Sequence, residues 1–288
     1  MFNPMQTDYY RFCKAVRKGN KLAAQNLILN DAVLNILKER NETLLHVAVN
    51  KASVEMTKNL IKHGANINIL DENHKTALKR AWTTISHYQR ELDQYIYNWG
   101  KNFGYEDCCA NIIRNKKIIE ILQIHVVKLC VAKLEVNNGN FNYLIPCQHF
   151  IENELEQTID IKHFEKQCVK EVEQLKTEFI DTISFYDLLT RRNYFPMRFV
   201  KNEEVEKTLN NEIWNTKFPL YIDIIRNRFQ KIKIQKRLQN PAKIFFRNHI
   251  SKELPNECID MIFSNFNIEE LSMFVRSYKT IDKKRKKK

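Results

Sequence analysis

The chain has 288 residues, 43% of them hydrophobic and 28% charged, enough to bury a core in one large or two modest domains and too apolar for a mostly disordered protein. Lys and Arg number 47 against 34 Asp and Glu, for a net charge of +13; this is compatible with nucleic-acid contact and equally with an ordinary basic protein. Five glycines are too few to expect a phosphate-cradling loop, and neither GxGxxG nor GxxxxGK[ST] occurs.

Seven cysteines, scattered and without a CxxC, predict a reducing compartment and no disulfide framework. The opening MFNPMQTDYY lacks the basic start and apolar core of a signal peptide. No uncharged apolar stretch of about 18 residues occurs. The expected location is intracellular, cytoplasmic or nuclear or both. No Ser/His/Asp or Cys/His arrangement, paired carboxylate or metal-ligand spacing is recognisable, so neither catalysis nor a cofactor or metal is expected.

In chain order, TLLHVAV opens at Thr43 and TALKRAW at Thr76, a step of 33 residues. One step earlier Tyr10 opens YRFCKAV, with Phe12 and Ala15 where the next copy has Leu45 and Ala48; Leu27 and Ile28 register with Leu60 and Ile61 in the same way. This period resembles the ankyrin repeat. It implies stacked helix pairs over residues 8–105, about three copies with the last irregular, presenting a surface rather than performing chemistry. In the middle copy Thr43 starts the first helix and Gly64 ends the second. His46 stands at the histidine of the ankyrin pattern, where the family's side chain bonds between neighbouring loops. Asp71-Glu72-Asn73 reads as a polar loop tip, which makes Asp71, Asn73 and His74 candidate target contacts.

The third copy opens regularly at Thr76, Ala77, Leu78 and Ala81. It then runs into TTISHYQRELDQYIYNWGKNFGYEDCC, where Leu92, Tyr95, Ile96 and Trp99 recur at helical spacing. The expectation is a lengthened helix that caps the stack, with an aromatic binding stripe as the alternative. Residues 106–186 read as a helical connecting region. It holds one helix over about 109–135, a loop at NNGNFNYLIPC, and a long helix from about 150 or 160 to 189. That last helix would carry Cys168, Val172, Leu175, Phe179 and Ile183 on one face. Beyond the break at Pro196, Pro219 opens a further helix and Pro241 and Pro255 punctuate two more. Almost no period-two alternation appears, so the fold class is all-α.

Near the end stands LPNECIDMIFSNFNIEELSMFV, in which Cys258, Ile259, Ile262, Phe263 and Phe266 form one apolar stripe, and Asn267 with Glu270 has the spacing of a capping box. LP, the Ile-x-x-Ile-Phe core and Glu269-Glu270-Leu271 resemble an abbreviated F-box. With FPLYIDIIRNRFQKI, HVVKLCVAKLEV and FEKQCVKEVEQLKTEFIDTISFYDLL, they resemble the PRANC region that follows ankyrin repeats in poxvirus, endosymbiont and parasitoid-wasp proteins. The whole then reads as a short ankyrin solenoid followed by a helical PRANC/F-box-like domain at 187–278 and a basic tail at 279–288.

The resemblance implies a substrate adaptor. The repeats would hold an unidentified target protein, and the F-box-like end would bind the Skp adaptor of a cullin ubiquitin ligase through Leu254, Pro255, Ile259, Ile262, Phe263 and Leu271. A second reading is a decoy in which the repeats alone mask a host transcription factor of the NF-κB type. Neither reading calls for a small-molecule substrate or a membrane, and a nucleic-acid partner is the least favoured. Lys283, Lys284, Arg285 and Lys286, within a run of six bases, are a candidate nuclear signal.

Overall fold

A computed structural model describes residues 10–15, 35, 41–99, 104–144, 160–191, 197–250, 254–264, 266, 270–271 and 274–275. The chain divides into two compact units, Met1–Gln174 and Leu175–Lys288. The described residues are dominated by helix, in agreement with the all-α expectation, and two short strands are the exception.

In the first unit residues 10–15 are helical, followed by α1 (Leu44–Asn50), α2 (Val54–Lys62), α3 (Ala77–Trp99), α4 (Tyr105–Val131), the one-turn α5 (Asn138–Phe141) and most of α6 (Ile161–Thr177). Thr43 caps α1: its hydroxyl accepts the His46 amide at 3.5 Å, while His46 Nδ1 accepts the Thr43 amide at 3.2 Å. Thr76 repeats the cap at the start of α3, accepting the Lys79 amide at 3.2 Å. The period also reaches the backbone. Asn41 and His74, one repeat apart, both take φ 53°.

Three helices of this unit end in the same left-handed closure. After α1, Ala52 (φ 47°) lets the Ser53 amide reach Ala48 O; after α2, Gly64 (φ 86°) lets Ala65 reach Leu60 O; after α4, Lys133 (φ 58°) lets Leu134 reach Leu129 O. Each bond spans five residues back and satisfies a carbonyl that the helix end leaves open. A single core joins Phe12, Leu44, Leu45, Leu60, Leu78 and Ile85 to Ile118, Ile119, Leu122 and Val126 of α4.

The lengthened helix expected of the third copy is present: α3 runs 23 residues to Trp99 without a break after its first turns, and α4, 27 residues long, packs back along it. NNGNF, expected as loop, forms α5. Asn137 caps it by accepting the Gly139 amide at 2.8 Å, and Asn68 Oδ1 accepts both the Asn137 amide (2.8 Å) and the Asn140 side-chain amide (3.1 Å). Asn140 is fully buried and also donates to Ile67 O. These asparagines supply the backbone's missing partners and convert a loop into a fixed turn of helix.

The second unit takes the end of α6, a hairpin of β1 (Phe179–Ile180) and β2 (Ile183–Ser184), then α7 (Phe185–Thr190), α8 (Met197–Val200), α9 (Glu203–Asn210), α10 (Ile213–Lys217), α11 (Ile222–His249) and α12 (Asn256–Ser264). The hairpin corrects the expected helix running on to 189. The chain leaves helix after Thr177, turns through Asp181 at φ 57°, and pairs Phe179 with Ser184 and Ile180 with Ile183. Ser184 then caps α7 by accepting the Asp187 amide at 2.9 Å. Phe179, placed on the helix's apolar face by spacing, is 58% exposed.

Pro241 is a second correction, because α11 passes through it. Proline lacks the amide that would bond one turn back, at a cost of about 3 kcal/mol in a helix interior. Burial on both sides holds the helix together: Leu238, Ala242 and Phe246 all pack in the core formed with Ile259, Phe263, Leu271 and Val275.

Candidate protein-binding surfaces

The loop that joins the second and third copies is organised around Asp71. Its Oδ1 accepts the Asn73 amide at 2.8 Å and the Lys75 amide at 2.9 Å, and its Oδ2 accepts from Arg80. Arg80 also reaches back to Glu42 of the preceding loop at 2.6 Å. Burial alone would push the Asp71 carboxyl up, but the Lys75 amide and the Arg80 guanidinium outweigh it and hold it below the ordinary carboxylate value. Asp71 is 2% exposed, so this expected target contact is turned inward and serves as the loop's internal anchor. Asn73 and His74 are exposed at the tip.

His46 bridges the loops as expected. Nδ1 accepts the Thr43 amide, so the ring proton sits on Nε2 and is donated to Lys75 O at 3.2 Å, 29 residues away. Burial, then the Arg80 charge, lower its pKa from the ordinary 6.5, which keeps the ring neutral in this role.

Beyond this loop, Lys75 and the outer side of α3 line an open groove of about 430 Å³. Further along α3, the expected cap packs only in part. Among the described side chains there, Ile85 is the last fully buried one; Leu92 and Tyr95 are half-buried, and Ile96 and Tyr97 are 54% and 89% exposed. Tyr95 lies against Gly104, whose φ of 105° and lack of a Cβ permit the contact. The side chain of Trp99 lies outside the described residues.

At the C-terminal end, the six side chains expected to face an adaptor divide into two groups. Ile259, Phe263 and Leu271 are fully buried in the unit's own core, which corrects their assignment as partner-facing residues. Phe263 sits edge-on to Phe246, Phe266 and Phe274 at 5.6, 5.3 and 5.4 Å. The physical reason is general: the broadest apolar stripe of an amphipathic helix turns to the nearest core. Leu254 and Pro255 are exposed and Ile262 is half-buried. Met261, off the stripe and overlooked for that reason, is 65% exposed. Spacing also could not reveal Gln235 and Gln239 of α11, whose buried side chains donate to Phe266 O (2.9 Å) and Phe263 O (2.8 Å) beyond and within the last turn of α12. The nuclear-signal candidates Lys283, Lys284, Arg285 and Lys286 lie outside the described residues.

Comparison with family models finds ankyrin repeats, in three copies, over residues 12–92. That stretch of the chain is an ankyrin-repeat array. The paired caps at Thr43 and Thr76, the His46 bridge and the closure at Gly64 are its local expression in this chain. Ankyrin arrays serve as protein-binding modules, and this one supplies a surface for a protein partner. No curated protein and no solved structure matches the chain. No described helix is long and apolar enough to cross a membrane. No disulfide joins any of the six described cysteines, and no group of three or more potential metal ligands occurs among the described residues.

Proposed function

We propose that the chain is a non-catalytic adaptor. Its ankyrin array holds a target protein, and its C-terminal helical unit recruits the Skp adaptor of a cullin ubiquitin ligase. The ankyrin match over 12–92 carries the first half. The second half is supported by the F-box-like sequence at 254–271 and by the side chains that α12 and the residues before it leave accessible, namely Leu254, Pro255 and Met261, with Ile262 at their edge. Large apolar side chains at such positions are the usual hot spots of helix-mediated interfaces. Ubiquitin transfer would reside in the recruited subunits.

The test is a pull-down of purified Skp adaptor by the tagged full chain, beside the double variant Leu254→Asp/Met261→Asp. Both positions are exposed, so circular dichroism should show an unchanged helical fold, which Phe263→Asp would not preserve. Capture by the wild type and about a tenfold loss in the double variant is expected. Equal capture by both, or none by either, would overturn the recruitment half and leave the array acting alone.

A further inference from the structure

We propose that the groove beside α3 is the array's recognition site and that it takes an acidic peptide segment of a protein partner. This rests on the protein-binding reading of the array and adds the chemistry of the partner. The lining contains Lys75, His87 and Arg90 and no acid. The carboxylate of Glu91, next along the helix, is directed at His87 Nε2, 3.3 Å away. Among the described residues no carboxylate is paired with Lys75 or Arg90. Arg90 donates Nε to Ser86 O at 3.2 Å, which fixes the guanidinium plane and leaves its terminal nitrogens as donors.

The remaining lining decides what kind of anion fits. Thr83 and Thr84 donate their hydroxyl protons to Arg80 O at 2.9 and 3.0 Å, and Ser86 donates its own to Trp82 O at 3.2 Å. With those protons committed, the three hydroxyl oxygens present only lone pairs to the groove. A phosphate or a phosphodiester backbone is rich in acceptors and would meet oxygen against oxygen there. An extended peptide suits both halves of the surface, with carboxylates on Lys75 and Arg90 and backbone amides donating to the hydroxyl oxygens. The half-buried Tyr88 ring gives such a peptide an apolar wall.

Fluorescence anisotropy with the full chain tests this, using short labelled peptides of poly-glutamate, poly-glutamate N-methylated at alternate amides, poly-lysine, and an oligothymidylate. Poly-glutamate should bind. Lys75→Glu/Arg90→Glu should weaken it about tenfold or more, whereas Lys51→Glu/Lys58→Glu, the same charge change at exposed positions elsewhere on the array, should change it less than about twofold. N-methylation should also weaken it. Equal loss in both double variants would mean that overall charge and not the groove captures the peptide, and would overturn the proposal. So would tighter binding of oligothymidylate that the groove variant abolishes. Binding of poly-lysine instead would overturn the acidic class while sparing the array as a peptide binder; no peptide bound by any form would sink both.

Discussion

His46 gathers partners from two loops onto one imidazole: the Thr43 amide and hydroxyl at Nδ1, the Lys75 carbonyl at Nε2. A second proton would have to displace the Thr43 amide. The folded ring therefore takes up a proton at lower pH than the unfolded one, whose ordinary value is 6.5. Stability is complete above 6.5 and declines as pH drops below it, because the unfolded chain gains the proton first. We expect the urea midpoint of the first unit to fall between pH 7.5 and pH 5.5, and His46→Leu, less stable at neutral pH, to lose most of that slope in this window. A slope unchanged in His46→Leu would assign the pH dependence elsewhere. His46 was readable because it stands at the histidine of the ankyrin pattern, although the carbonyl it reaches is 29 residues away. Asp71 was misread because its polarity suggested a surface, yet it accepts from amides two and four residues on and from Arg80, and nothing in a composition distinguishes an outward carboxylate from one closing its own loop.

At the scale of elements, α11 and α12 show how one stripe can be found and its direction lost. The apolar spacing of 258–266 was legible, and so was the helix; its facing depended on α11, whose Leu238, Ala242 and Phe246 complete the same cluster. Pro241 argued for a boundary by local rule, and long-range burial overrode it. Gln239, 4% exposed and bonded to Phe263 O, looks in sequence like an ordinary surface residue. Gln239→Leu should leave that carbonyl unpaired within the core and cost about 1–3 kcal/mol in a denaturant titration; a change below about 0.5 kcal/mol would show that the bond contributes nothing net. The hairpin at 179–184 escaped notice because two residues per strand give no periodicity to read.

For the whole molecule, the period of 33 residues foretold the array and its capping threonines, and the helical class followed from the lack of alternation. The lengthened helix of the third copy was legible in the spacing of Leu92, Tyr95, Ile96 and Trp99; that α4 packs back along it was not, since the pairing of two helices leaves no mark on the repeat. The clusters around Leu45 and Ile119 and around Ala242 and Phe263 lie in different units and share no residue, so calorimetry should resolve two unfolding transitions. Asp71→Asn, which strips Arg80 of its fully buried counter-charge, should lower only one of them, by about 2 kcal/mol. A single transition that shifts as a whole would mean that the units unfold cooperatively.

The sharing of one hydrophobic cluster between α11 and the terminal helices bears on how any binding fragment is cut. A synthetic peptide or two-hybrid bait spanning only 254–275 would bring Ile259, Phe263 and Leu271 to water, having left behind the half of their enclosure that Leu238, Ala242 and Phe246 provide. It would adhere to apolar surfaces of many kinds and report false partners. A bait that reaches back past Gln235 keeps the α11 half of that enclosure, and one that begins with the whole second unit also keeps Ile225 and Phe229 covered.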